Sequence, residues 1–131
     1  MTITICASLS FFETSLSVKK QLEKLSHTVL WPLGMERRLK GIDHIKEPGI
    51  HGRAIRLHHE KIKKADAILV VNEEKNGIQN YIGGNTLMEM GFAYVLRKKI
   101  YLLNPIPELN WKEEVVAMQP IILHGSVETI K

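Results

Sequence analysis

Short apolar runs alternate with helix-period segments along the whole chain. The runs are Thr2–Ala7, Thr28–Trp31, Ala67–Val71, Ile100–Leu103 and Ile121–Leu123. Between them, residues at steps of three and four fall on one helix face, as do Ile55, His58, Ile62 and Ala65. This alternation is typical of βαβ units, whose right-handed crossovers place helices on both faces of a parallel sheet. We predict an α/β fold with a flavodoxin-like, doubly wound, five-stranded parallel sheet in the order 2-1-3-4-5.

The size and composition favour one ordinary globular domain over residues 1–131. The chain is 44% apolar, and its single cysteine, Cys6, excludes a disulfide framework. No apolar run approaches the roughly 20 residues that span a bilayer. Residues 1–12 lack the basic leader and cleavage site of a signal peptide. We therefore expect a soluble, cytoplasmic protein without a membrane partner.

The charge balance favours a small anionic ligand over a nucleic acid. Eighteen basic and 14 acidic residues give a net charge of +4, which attracts phosphates. The basic residues are dispersed and do not alternate with aromatic residues, so we expect no nucleic-acid partner. The six histidines match no metal-ligand spacing, and no Walker A motif is present, so we expect no metal and no cofactor.

Two local patterns predict how the first helices begin. Pro32–Gly52 contains four glycines and little periodicity, which predicts a loop or flap with one helical turn near Met35–Leu39. The next helix is then predicted to begin at Arg53. Ser10 and Glu13 have the spacing of a capping box at the start of the first helix.

The carboxyl ends of the predicted strands identify a candidate ligand site. Ligands bind such sheets beyond those ends, at the point where the connections that leave strands 1 and 3 run in opposite directions. This rule brings together Ala7–Ser10, Asn72–Asn85 and Asn104–Pro107. Asn72 ends strand 3 at this edge, where it is a candidate to bind a sugar hydroxyl or to begin a turn.

Residues 82–93 are the most informative stretch of the sequence. Gly83 and Gly84 allow close approach of the backbone to a ligand, and the helix start after Asn85 offers free N–H groups to an anion or a sugar. A helix beginning at Thr86 places Glu89 in its first turn. Glu89 then either completes a capping box with Thr86 or is an ionised, partly desolvated carboxylate able to attack an anomeric carbon.

Three motifs in order resemble the nucleoside 2-deoxyribosyltransferase family, including its deoxynucleoside monophosphate N-glycosidase branch. They are Cys6-Ala7-Ser8 after strand 1, Ala65-Asp66 before the apolar run of strand 3, and Glu89-Met90-Gly91-Phe92-Ala93 after the glycine loop. Together they span roughly residues 2 to 104. The resemblance implies an enzyme acting on a nucleoside or nucleoside monophosphate, assembled as a homo-oligomer.

The resemblance also implies roles for particular residues. Glu89 falls on the family nucleophile, which attacks C1′ of a deoxyribosyl group and expels the base before water or a second base takes the sugar with net retention. Ser8 falls on the turn that contacts substrate. The glycine loop, here Gly83, Gly84 and Asn85, lines the sugar or phosphate.

One position departs from the family pattern. His58 stands where the family carries an aspartate that helps protonate or orient the base. An imidazole is able to donate a proton near neutral pH, but His58 shares a face with Ile62 and equally fits a buried structural role. Two other functions remain open: a nucleotide-binding module without turnover, and a lysine-decarboxylase-like phosphoribohydrolase, which also pairs a Gly-Gly loop with a glutamate.

Overall fold

The computed structural model describes residues 1–42 and 48–131, and it contains a five-stranded sheet. The strands are β1 (Thr2–Cys6), β2 (Thr28–Leu30), β3 (Ala67–Val70), β4 (Lys99–Leu102) and β5 (Ile121–Ile122). All neighbours pair in parallel in the order β2-β1-β3-β4-β5. The predicted flavodoxin-like topology is therefore confirmed.

Helices cover both faces of this sheet. They are α1 (Phe12–Lys24), α2 (Leu33–Leu39), α3 (Ile50–Lys64), α4 (Gly84–Val95) and α5 (Lys112–Ala117), with one turn of 3₁₀ helix at Leu9–Phe11. Every residue of β3 is buried because helices lie over both of its faces. None of the helices within the two described ranges combines the length and apolar character that a membrane crossing requires.

The pleat of β1 divides the core into two layers. Ile3 and Ile5 face a layer that includes Leu22 of α1 and Met35 of α2. Cys6 faces the opposite layer, formed largely by α3, α4 and α5. Because side chains alternate along a strand, Thr4 also faces α3, and its hydroxyl donates to the Lys61 carbonyl. This second layer carries the candidate site.

The predicted loop over Pro32–Gly52 is too long. Leu33–Leu39 forms α2, a helix of seven residues that buries Met35, and α3 begins at Ile50, three residues before the predicted start. Gly49 has a φ of 76°, a left-handed conformation that glycine adopts at little cost. The part of the predicted flap that falls on residues 43–47, including His44, lies outside the described residues.

The predicted capping box at Ser10 is wrong. The hydroxyl of Ser8 accepts from the backbone N–H of Ser10 and caps the 3₁₀ turn instead. Helix α1 then begins at Phe12 without a side-chain cap. The Ser8 hydroxyl thus binds the Ser10 N–H, which is the donor that the Glu13 carboxylate would bind in the capping box.

Candidate active site

Helices α3 and α4 pack side by side and bring His58 and Glu89 together at the carboxyl end of β1. Nε2 of His58 lies 3.4 Å from Oε2 of Glu89. The same nitrogen lies 3.4 Å from Sγ of Cys6, the last residue of β1. The side chain of His58 is 5% exposed and that of Glu89 is 14% exposed. Of these two side chains, Glu89 is therefore the more accessible to solvent.

The predicted capping role of Glu89 is wrong. Helix α4 begins at Gly84, its N-cap is Gly83, and no side chain caps it. Glu89 consequently lies in the second turn, and Thr86 is buried inside the helix rather than at its cap. The carboxylate faces His58 of the neighbouring helix, which the sequence-based capping interpretation did not anticipate.

Burial moves the pKa values of the two groups in opposite directions. Desolvation raises the pKa of Glu89 from 4.5 to about 8. Desolvation, followed by the positive charge of Lys61, lowers the pKa of His58 from 6.5 to about 4. Between these values the pair holds one proton, which the two pKa values assign mainly to Glu89. Movement of this proton to His58 would create a nucleophilic carboxylate and a general acid together.

The far edge of the imidazole has no partner among the described residues. Nδ1 of His58 is buried and makes no hydrogen bond there. The neutral ring that accepts a proton at Nε2 carries its own hydrogen on Nδ1, so this N–H is unpaired in both the neutral and the charged ring, at a cost of about 1–3 kcal/mol. The lowered pKa of His58 therefore comes from burial, followed by the positive charge of Lys61, and not from this atom.

The thiol of Cys6 completes a cluster that the sequence analysis did not recognise. Cys6 is fully buried, and burial, followed by the negative charge of Glu89, raises the pKa of its thiol. Ligand-type atoms of Cys6, His58 and Glu89 all lie within 4.8 Å of one another. The three residues lie far apart in the sequence, so motif spacing alone could not reveal them.

A second group of residues joins the turn after β1 to the glycine loop. The Nζ atom of Lys75 donates to the Ser8 hydroxyl at 3.3 Å and lies 5.6 Å from the centre of the Tyr81 ring. Tyr81 in turn packs against Gly83, where an added Cβ would lie 3.2 Å from its ring. Lys75 and Tyr81 thus connect Ser8 to Gly83, two residues that the sequence predicts at the same edge of the sheet. Lys75 is a cation that the sequence analysis missed.

The other two predicted residues of the glycine loop lie at the surface. Gly84 and Asn85 are exposed and form the first turn of α4. The first N–H groups of a helix lack acceptors within it and carry partial positive charge. These residues therefore offer donors to an anionic or hydroxylated ligand.

Asn72 is fully buried and makes its amide contacts within the protein. Its amide nitrogen donates to the carbonyls of Asn80, Asn104 and Pro105, and its oxygen accepts from the Asn104 N–H at 2.9 Å. These bonds tie the end of β3 to the glycine loop and to the turn after β4. A contact between Asn72 and a ligand stays a prediction.

Two cavities in the described part of the chain lie apart from this cluster. One of about 260 Å³ is bordered by Trp31, Glu36 and Lys61, and one of about 580 Å³ by Val95, Ile121 and their neighbours. Neither is lined by Cys6, His58 or Glu89. A ligand would reach the Glu89 carboxylate through the exposed fraction of its side chain, beside the start of α4.

Comparisons with solved structures bear on the fold. A 2-deoxyribosyltransferase from Bacillus psychrosaccharolyticus matches 83% of this chain and 76% of its own length, with a TM-score of 0.57 and 20% identity. The Clostridium botulinum CMP N-glycosidase BcmB matches 96% of this chain and 91% of its own, with a TM-score of 0.55 and 14% identity. The chain shares its fold with both enzymes. No family model matches it, and no curated relative does.

These matches confirm the resemblance stated from the sequence at the level of the fold. The identities of 20% and 14% are low, so the activities belong to those two enzymes. The chemistry of this chain depends on its own side chains.

Proposed function

We propose that this protein cleaves or transfers the N-glycosidic bond of a nucleoside or nucleoside monophosphate, with Glu89 as the nucleophile. The observation that carries the proposal is the 3.4 Å approach of the Glu89 carboxylate to Nε2 of His58. The pair lies at the edge of the sheet where ligands of this topology bind, next to the glycine loop. The fold shared with a deoxyribosyltransferase and a CMP N-glycosidase supports the same reaction class.

The first step of the proposed reaction moves the proton of the pair. Glu89 passes its proton to Nε2 of His58, which leaves a carboxylate beside an imidazolium. The carboxylate oxygen attacks C1′ of the sugar while the bond from C1′ to the base nitrogen breaks, and the departing base takes the proton from His58. The products of this step are the free base, a glycosyl ester on Glu89 and a neutral His58.

The second step regenerates the enzyme with retention at C1′. Water or a second base adds to C1′ from the face that the first base left, and the ester bond to Glu89 breaks. Neutral His58 accepts the proton of the incoming nucleophile, so the pair again holds one proton. The step uses no cofactor and no metal.

The remaining predicted residues take supporting roles in this proposal. The exposed start of α4, with Gly83, Gly84 and Asn85, approaches the sugar or phosphate, and Ser8 contacts the substrate beside Lys75. Asn72 positions the turn after β4 through its hydrogen bonds to the backbone of Asn104.

A nucleotide-binding module without turnover is the second candidate, and the raised pKa of Glu89 favours it. A carboxyl group with a pKa of about 8 is mostly protonated at pH 7. In that state Glu89 is a hydrogen-bond donor for a ribose hydroxyl. To act as a nucleophile Glu89 must first lose that proton, which the proposed first step passes to His58.

Release of free base distinguishes the two candidates. The protein is incubated with a panel of ribo- and deoxyribonucleosides and their 5′-monophosphates, with and without an acceptor base. We expect base release by the wild type and by Glu60→Gln, an exposed glutamate on α3, and none by Glu89→Gln. Thermal stabilisation by the same ligands without base release, retained in Glu89→Gln, would support the binding module instead.

A further inference from the structure

Cys6, His58 and Glu89 present a sulfur, a nitrogen and an oxygen towards one another inside the second core layer. The Cys6–His58 and His58–Glu89 contacts are both 3.4 Å, and all three atoms lie within 4.8 Å of one another. Bonds to Zn²⁺ of about 2.3 Å from sulfur and about 2.0 Å from nitrogen or oxygen, at tetrahedral angles, place ligand atoms roughly 3.3–3.5 Å apart. Two of the three separations already match this spacing.

We propose that this cluster is a reversible Zn²⁺ site, with Cys6 Sγ, His58 Nε2 and Glu89 Oε2 as ligands and water in the fourth position. Thiolate, imidazole and carboxylate are the three ligand types that zinc takes in proteins. Three protein ligands leave one tetrahedral position open, and the partly exposed side of Glu89 is where water reaches it. The chain alone supplies the three ligands.

The charge balance of the cluster also favours a divalent cation. A thiolate and a carboxylate together carry two negative charges, which are costly to bury without compensation. Zn²⁺ neutralises both, and the neutral imidazole adds no charge. Binding at neutral pH displaces the Cys6 proton and the proton shared by Glu89 and His58, so roughly two protons are released for each ion.

The surroundings of His58 make this a reversible site. Histidines that hold resident zinc usually donate their second N–H to a carboxylate or carbonyl, and loss of that partner weakens metal binding about 10–100-fold. Nδ1 of His58 has no such partner among the described residues. A chelator such as EDTA should therefore remove the ion from the folded protein.

Zinc at this cluster has a consequence that rests on the proposed function. It would engage the carboxylate proposed to attack C1′ and occupy the nitrogen proposed to carry the proton. Zn²⁺ would then inhibit base release, and EDTA would restore it. This differs from the sequence-based expectation of no metal site, because the three ligands come from β1, α3 and α4.

Co²⁺ provides a direct test on the wild-type protein. Co²⁺ takes the same ligands, and a cobalt–thiolate bond gives an intense near-ultraviolet charge-transfer absorption. Because Cys6 is the single cysteine, that absorption identifies the site. We expect it to rise to saturation at one Co²⁺ per chain and to disappear when Zn²⁺ is added. Bound Co²⁺ without this absorption, or no binding of either ion, would overturn the proposal.

Variants and activity then separate this proposal from the proposed function. Cys6→Ala should abolish the absorption and weaken Zn²⁺ binding in calorimetry at least tenfold. His59→Gln should change neither, because its partly exposed ring contacts Phe92 and supplies no atom to the cluster. Unchanged Zn²⁺ affinity in folded Cys6→Ala would overturn the site. If the absorption appears but no base is ever released, the zinc site stands and the proposed function fails. If base release persists at saturating Zn²⁺, the proposed overlap of the two sites is wrong.

Discussion

Nε2 of His58 and Oε2 of Glu89 approach to 3.4 Å across the contact between α3 and α4, with both side chains largely withdrawn from water. Burial is the main cause of the protonation of both groups, which meet in this one contact. The contact joins an acid whose pKa is raised to an imidazole whose pKa is lowered. The predictions below follow from the proton that they share and from the residues around them.

The pH profile of the reaction tests the shared proton. Below about pH 4 His58 is protonated by solvent and can no longer accept the proton of Glu89, so Glu89 stays neutral. Above about pH 8 both residues have lost their protons, and none is left for the departing base. We therefore expect kcat/KM to be flat between these limits and to fall on both sides.

His58→Gln changes the shape of that profile. Without the imidazole, Glu89 must lose its proton to solvent, so kcat/KM should drop about 10²–10⁴-fold and rise with pH through the raised pKa of Glu89. Base release measured from pH 4 to 9.5 for both proteins checks this. A bell-shaped profile that persists in His58→Gln would show that another residue supplies the acid.

Glu89→Gln should stabilise the protein while abolishing activity. The unfolded carboxyl ionises above about pH 4.5, whereas the folded one stays protonated to about pH 8, so folding stability is lost as pH rises through this window. At pH 7 the free energy of unfolding should increase by about 3 kcal/mol in Glu89→Gln, and by almost nothing near pH 4. Urea unfolding at both pH values measures this, with Glu60→Gln as the exposed control. Equal stability of wild type and Glu89→Gln at pH 7 would mean that Glu89 is not desolvated.

Gly84→Ala tests whether a ligand approaches the start of α4. An added Cβ at Gly84 meets no atom within 4 Å, and alanine in a helix is more stable than glycine by about 0.5–1 kcal/mol. The variant should keep or gain stability, while KM rises about tenfold, equivalent to about 1.4 kcal/mol of binding. A KM equal to that of the wild type would place the ligand elsewhere. Gly83→Ala is expected to affect both properties, because its Cβ meets the Tyr81 ring.

Lys75→Gln tests whether the substrate carries a phosphate. The Lys75 ammonium lies beside Ser8, and a hydrogen bond to a charged group contributes about 1.5–3 kcal/mol. KM for a 5′-monophosphate should rise at least about tenfold, while KM for the matching nucleoside stays constant. Lys99→Gln, at the amino end of β4, is the control. An equal change in KM for both substrates would show that Lys75 does not recognise the phosphate.

The sheet could be predicted from the sequence because its signals are local. Ala67–Val70 is uninterrupted and apolar, as a strand covered on both faces must be, and short crossovers leave few possible strand orders. The sequence also identified His58 and Glu89, each by itself, as candidate catalytic residues. Their mutual contact depends on how α3 and α4 pack, which no single segment encodes.

The errors in the prediction arose where two local rules compete. Thr86 and Glu89 have capping-box spacing, but the helix begins two residues earlier at Gly84, so the pattern falls inside it. The glycines of Pro32–Gly52 predict a loop with one helical turn near Met35–Leu39. The turn is confirmed, but burial of Met35 in the core anchors a longer helix of seven residues. The sequence presents Cys6 only as the single cysteine and as part of the motif after strand 1, and only the tertiary structure places its sulfur against His58.

Covalent trapping tests the central claim most directly. A substrate fluorinated at C2′ slows both displacement steps by destabilising positive charge at C1′, and a good leaving group allows the first step to proceed. Incubation of the wild-type protein, followed by intact and peptide mass measurement, should show one fluorosugar per chain attached to Glu89. An adduct on another residue, or base release with retention and no adduct on Glu89 under any trapping condition, would contradict the account.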